Sequence, residues 1–200
     1  MLLPAIITAG GVLSYYTYQT AAQFERLGEK SIAQSILLLL EDKLNRLEQQ
    51  IISADNSTFA AVDFGDRNAL LDAWRLEAER VSPSVRAVLV LDQRRRVIGM
   101  EARASKGDAS AFRNVFMRRI LPDLELDKIA IGRLKHLHAV YGGRSYLISY
   151  KAVQHDDETY YLAAHHDTGY LVRAVFPELF RGESGNQIYN VVDDENRLVL

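Results

Sequence analysis

Residues 1–24 carry no charge: the first charged side chain is Glu25 and the first basic one is Arg26. At about 1.5 Å of rise per helical residue, a neutral run of this length can cross a hydrocarbon core roughly 30 Å thick. Tyr15, Tyr16 and Tyr18 near its end suit the headgroup layer, where an apolar ring and a hydroxyl are both satisfied. The run reads as a transmembrane anchor, 1–24. A cleaved secretory signal would open with a basic region, and no Lys or Arg precedes Arg26. Pro4, Gly10 and Gly11 make the run a weak helix in water, but both residue types are frequent in membrane helices.

The next segment, 25–52, has helical patterning. Leu37, Leu40, Leu44, Leu47 and Ile51 step by three and four, the spacing of a bundle or coiled-coil seam. Asp42 and Arg46 add an i,i+4 ion pair on the outer face. The pattern predicts one long helix emerging from the membrane. Its stripe packs either on its own domain or against a second copy as a homodimer. Asp55, Asn56, Ser57 and Gly65 make 53–67 turn-prone, so the helix is expected to end near Ile52.

Beyond this point the chain alternates helix and strand signals. A short helix is expected from about Asn68, with Leu71, Trp74, Ala78 and Val81 on one face and Asp66 or Asn68 as N-cap. Trp74 on that apolar face reads as core. Val85 to Asp92 is rich in β-branched residues and reads as a central strand, turned at Gln93 to Arg96 into Val97 to Glu101. Phe112, Val115, Phe116, Ile120 and Leu121 mark a third helix that stops near Pro122. Three strands follow: Leu134 to Tyr141, Arg144 to Val153 across the Gly142-Gly143 turn, and Thr159 to His166 after His155 to Glu158. This order predicts an α+β fold, an antiparallel sheet flanked by helices.

Composition narrows the functional classes. A net charge of -2 leaves no electrostatic footprint for nucleic acid, which is excluded as a partner. The absence of cysteine removes thiol catalysis, cysteine-ligated zinc and disulfides together. No phosphate-cradling glycine loop, Gly-x-Ser-x-Gly elbow or His-Glu-x-x-His pair is present. No catalytic residue and no cofactor is therefore assigned.

An internal echo links the two ends of the folded region. Val90-Leu91-Asp92-Gln93-Arg94-Arg95-Arg96-Val97-Ile98 is matched by Val191-Val192-Asp193-Asp194-Glu195-Asn196-Arg197-Leu198-Val199. Both are an apolar pair, an aspartate, a polar tip ending in arginine and a second apolar pair. A second module is expected to begin near Gln187, and a chain stopping at Leu200 inside its second strand is expected to be the front part of a longer protein.

An anchor, a membrane-emergent helix, the strand Val-Leu-Val-Leu-Asp, a polar tip, Val-Ile-Gly, a helix, three strands and a second Asp-tipped hairpin together resemble the double Cache sensor region of bacterial transmembrane receptors. The resemblance implies a PAS-like fold: anchor 1–24, long helix 25–52, first module 53–182, and the start of a second module over 183–200. It also implies a small-molecule ligand held against the sheet, inner-membrane localisation with the folded part extracytoplasmic, and signalling output beyond Leu200. That output is expected to be a two-component histidine kinase. A chemoreceptor, a cyclic-dinucleotide synthase, or an anchored binding module without output are the alternatives. The Arg-x-Trp-Tyr arrangement of the amino-acid-binding subgroup is missing, since Trp74 precedes the first strand and is followed by Arg75.

Candidate ligand contacts follow from strand alternation. Tyr146 and Tyr150 share a face with Ile148, and Tyr161 and His165 share one with Ala163. These offer the aromatic walls common in small-molecule sites. Arg144 and Arg113 suit a carboxylate, with His138 and Asp167 completing the set. His136 and His138 fall on one strand face and His165-His166 lies in the next-but-one strand, a pattern that imidazole-binding metals can use. The spacing matches no strong metal signature, and no metal is assigned.

Overall fold

β1 (Val85–Leu91) is buried along almost its whole length, with Arg86 alone exposed, because helices cover both faces of the sheet at its centre. In the computed structural model, which describes Leu38 and residues 41–180, β1 pairs on one side with β2 (Val97–Ala102). On the other side it pairs with β5 (Glu158–His166), which is followed outward by β4 (Arg144–His155) and β3 (Leu134–Tyr141). The order is β2-β1-β5-β4-β3, and every ladder between neighbours is antiparallel. The expected α+β architecture is thus present. The anchor 1–24, the emergent segment as far as residue 37 and the second module over 183–200 lie outside the described residues.

The turns between strands are built as the local sequence dictates. Gly142 and Gly143 take φ of 60° and 74°, the doubly left-handed pair of a tight hairpin. Asp156 and Asp157 make the equivalent turn at φ of 47° and 62°, which short polar side chains tolerate better than most. At the first hairpin the Asp92 carboxylate accepts hydrogen bonds from the backbone N–H groups of Arg94 and Arg96 and from the Arg96 side chain at 2.7 Å. The arginine-rich tip is therefore organised by one acid.

Two cores result. On one face α1, helical over residues 41–60, and α2 (Asp72–Val81) bring Phe59, Leu71, Trp74 and Ala78 onto Val88, Val90 and Leu162. On the other, α3 (Lys106–Val115), a π-helical turn (Phe116–Ile120) and α4 (Leu121–Asp123) bring Phe116, Ile120 and Leu124 onto Leu89, Ile148 and Ala163. The sheet belongs to the compact unit Leu47–Leu200. Coverage on both sides explains why β1 reads as a continuous apolar run rather than an alternation.

Two local details differ from the sequence expectation. α1 does not stop near Ile52 but continues to residue 60, carrying Asp55 inside it. α2 starts at Asp72 after Leu71, which supplies no side-chain cap; Asp66 instead accepts from the Asn68 N–H within the preceding turn. Of the predicted seam, Leu44 is exposed while Leu47 and Ile51 are half-buried; Leu37 and Leu40 lie outside the described residues. The Asp42–Arg46 ion pair forms at 3.0 Å. Among the described residues no helix is long and apolar enough to cross a membrane.

Trp74 is core, as expected, at 2% exposure, and its indole N–H donates to the Ser82 hydroxyl at 3.0 Å. Trp74→Phe keeps the apolar body but orphans Ser82, itself fully buried. A loss of about 1–2 kcal/mol is expected, read as the shift in the urea unfolding midpoint. An unshifted midpoint would show that the bond contributes nothing.

Candidate functional site

β5 ends in two consecutive histidines, and successive residues of a strand point to opposite faces. His165 therefore faces a cavity of about 170 Å³ on the α3 side of the sheet. His166 faces α1, where it is fully buried. The two faces do different things.

The cavity side is aromatic and cationic. The His165 ring stacks on Phe112 of α3 with centroids 4.3 Å apart and planes at 15°, and Tyr146 of β4 closes the wall 5.5 Å from His165. Burial, together with the charge of Arg86 and the neighbouring His166, lowers the His165 pKa from 6.5 to about 4 against the opposing pull of Asp167. Its ring is neutral in neutral solution.

Arg86 reaches this site by an irregularity of the backbone. Val85 pairs with His166 while Ala87 pairs with His165, so Arg86 is the extra residue of a β-bulge. Bulges commonly re-aim a side chain beside a functional site. Arg86 and Arg144 both line the cavity, and among the described residues neither guanidinium has a hydrogen-bonding or ion-pair partner. The acids at the rim are engaged locally: Asp108 exchanges hydrogen bonds with the α3 N-cap Ser105, and Asp167 accepts from the Tyr170 N–H at the start of α5 (Thr168–Tyr170).

On the opposite face the Asp55 carboxylate of α1 is fully buried. Its Oδ1 lies 2.9 Å from His166 Nε2, and its Oδ2 lies 3.0 Å from His136 Nε2. Ser149 Oγ sits 2.9 Å from the same His166 nitrogen. Ser84 Oγ is 3.4 Å from Nδ1. These partners favour the tautomer in which His166 Nε2–H donates to Asp55, an assignment made from the hydrogen-bond pattern. Burial raises the Asp55 pKa, but the hydrogen bonds of His136 and His166 and the charge of His166 outweigh it and hold the carboxyl below 3.8.

One acid thus ties α1 to β3, β4 and β5. Ser84, His166 and Asp55 have the composition of a nucleophile-base-orienter set, but His166 and Asp55 are closed to solvent, Ser84 is 6% exposed, and the Ser84 contact is long. The arrangement serves as a structural tie. Among the described residues no cluster of His, Asp and Glu is arranged to hold a metal ion.

Of the residues singled out from sequence, Arg144, Tyr146, His165 and Asp167 come together around the cavity. Arg113 is exposed on α3 and does not line it. His138 is exposed on β3 and pairs with the Ser145 hydroxyl at 2.8 Å. Tyr150 is buried in the α3-side core and Tyr161 packs at that core's margin, neither lining the cavity. Sequence reasoning passed over Arg86, Phe112 and Asp55. A lone arginine inside Val-Arg-Ala-Val-Leu-Val-Leu was a visible signal, as was an acid four residues beyond Ile51 on the inner helical stripe. Compared with protein-family models and with curated proteins, the sequence finds no match.

Proposed function

We propose that this chain is the sensory part of a membrane-anchored bacterial receptor, a PAS-like extracytoplasmic module of the double Cache type. A two-component histidine kinase is the proposed output. The observation that carries this reading is the pair His165-His166. One ring lines a ligand-sized cavity and the next is hydrogen-bonded to Asp55 of α1, so whatever moves the end of β5 is felt by the helix. The strand order β2-β1-β5-β4-β3, with the first strand in the sheet interior beside the last and helices on both faces, supports the PAS-like assignment.

The mechanism is a two-state balance. Filling the cavity changes the packing around His165, and a ligand shifts α1 only by its differential affinity for the two arrangements. Asp55 transmits the difference because its two carboxylate oxygens are each committed to a different strand's histidine. In this proposal the anchor 1–24 precedes α1 in the chain and receives its shift.

Two readouts on the same membrane-borne chain test this. A topology reporter fused after Val153 is expected to be active only outside the cytoplasm, with the protein in the membrane fraction. His165→Gln is expected to shift the amide resonances of residues 51–58 with Asp55 present and to leave them unmoved in an Asp55→Asn background, a coupling read as in a double-mutant cycle. Cytoplasmic reporter activity, or equal shifts in both backgrounds, would overturn the proposal.

A further inference from the structure

The geometry points to a ligand class: we propose that the His165 cavity takes a small planar carboxylate, its ring against Phe112, His165 and Tyr146 and its charge on Arg86 and Arg144. This rests on the sensor reading and specifies what is sensed. Size comes first. A cavity of about 150 Å³ lined by apolar side chains accommodates benzene, and the volume here is about 170 Å³, which matches one ring with a small substituent.

Shape comes from the wall. Phe112 and His165 are near-parallel, and Phe112 and Tyr146 lie 18° apart with centroids at 6.3 Å. All three rings line the cavity, and stacked or edge-on contact of a planar ligand with such a wall gains more than area burial alone. His165, neutral as described above, offers a soft aromatic face rather than a competing cation.

Sign comes from the charges left over. Asp108 and Asp167 are committed to helix caps, whereas Arg86 and Arg144 have no partner among the described residues. Two free guanidiniums beside an aromatic wall match a carboxylate, which accepts the planar fork of an arginine bidentately. Arg86 is placed by the bulge and Arg144 by the Gly142-Gly143 turn that precedes it, so both are held by backbone geometry on different strands.

The test uses the full chain in detergent with benzoate, its neutral isostere benzamide, and the non-planar anion cyclohexanecarboxylate, followed by calorimetry and by the ring resonances of His165. Benzoate is expected to bind at least about tenfold tighter than either analogue and to raise the His165 titration midpoint, as an adjacent anion must. Arg86→Gln and Arg144→Gln are each expected to weaken benzoate binding by about tenfold, the loss of one charge-assisted pair. Both side chains are exposed, so the unfolding midpoint serves as a control that should stay fixed. Equal binding of benzamide, equal binding of cyclohexanecarboxylate, or unaltered affinity in both arginine variants overturns the ligand class while leaving a sensing cavity in place. If none of the compounds perturbs His165, the ligand class falls, while the sensor reading is judged separately by the topology and double-mutant readouts.

Discussion

Asp55→Ala is expected to lower the unfolding free energy by about 3–5 kcal/mol, the loss of two hydrogen bonds to a charged acceptor at about 1.5–3 kcal/mol each. The substitution strips the acceptor from the imidazole N–H of both His136 and His166. It also leaves space in a layer where Ala54, Phe59 and Ala164 are packed together. For a unit of this size the corresponding fall in Tm is about 6–20 °C. Asp55→Asn, which keeps the shape and one acceptor, should cost less. The pH dependence follows from the direction of the Asp55 shift. Its folded pKa lies below the unfolded value of 3.8, so its contribution is complete above 3.8 and is lost as pH falls through the folded pKa. Urea titrations of wild type and Asp55→Asn should therefore converge in strong acid and separate above 3.8. Indistinguishable stabilities at neutral pH would mean that the tie carries no energy.

His165 produces the second large effect, with the opposite origin. Its folded pKa of about 4 lies below the ordinary 6.5 because burial disfavours the charged ring. Between those values the unfolded chain holds a proton that the folded chain refuses, so stability falls as pH drops from 6.5 to about 4. At about 1.4 kcal/mol per pH unit, the gap between 6.5 and about 4 corresponds to a total of about 3 kcal/mol. His165→Gln removes the titrating group. Its stability profile over the same window should be flatter than that of wild type by about this amount. A wild-type curve that is already flat from 6.5 to 4, or one unchanged by the substitution, would refute the assignment of a buried neutral ring.

How much of this was legible in the sequence depends on the range of the forces involved. β1, β2 and the three-strand meander announce themselves through β-branched runs and the left-handed turn at Gly142-Gly143, all local signals. α1 beyond Ile52 does not. Asp55, Asn56 and Ser57 are weak helix formers that compete for their own backbone, and the stretch is held by distant partners: Asp55 bonds to His136 and His166, 81 and 111 residues away, and Ala54 and Phe59 pack into the core. The cavity was half legible. Alternation gives Tyr146 the face of Ile148, which pairs with His165, but nothing local reveals that β1 bulges and re-aims Arg86, or that α3 lays Phe112 flat on His165. Arg113, one position along that helix, points elsewhere. Which strands neighbour each other was likewise not spelled out by composition, because β1 joins β5 through contacts far apart in sequence.

The π-helical turn after α3 makes chain length there a counted quantity. The Leu121 N–H bonds to the Phe116 carbonyl five residues back, so the helix holds one residue more than a regular coil would at that point. Deleting one residue between Phe116 and Ile120 removes the surplus and restores ordinary winding with both flanks keeping their faces, whereas deleting one from the regular coil of α3 just before the turn would rotate everything on one side of the cut by about 100° relative to the other. Either Phe112 would swing off His165, or Ile120 and Leu124 would leave the sheet. Homologues can therefore shed this surplus residue and keep the aromatic wall, whereas a one-residue deletion within α3 itself should be accompanied by a rebuilt cavity.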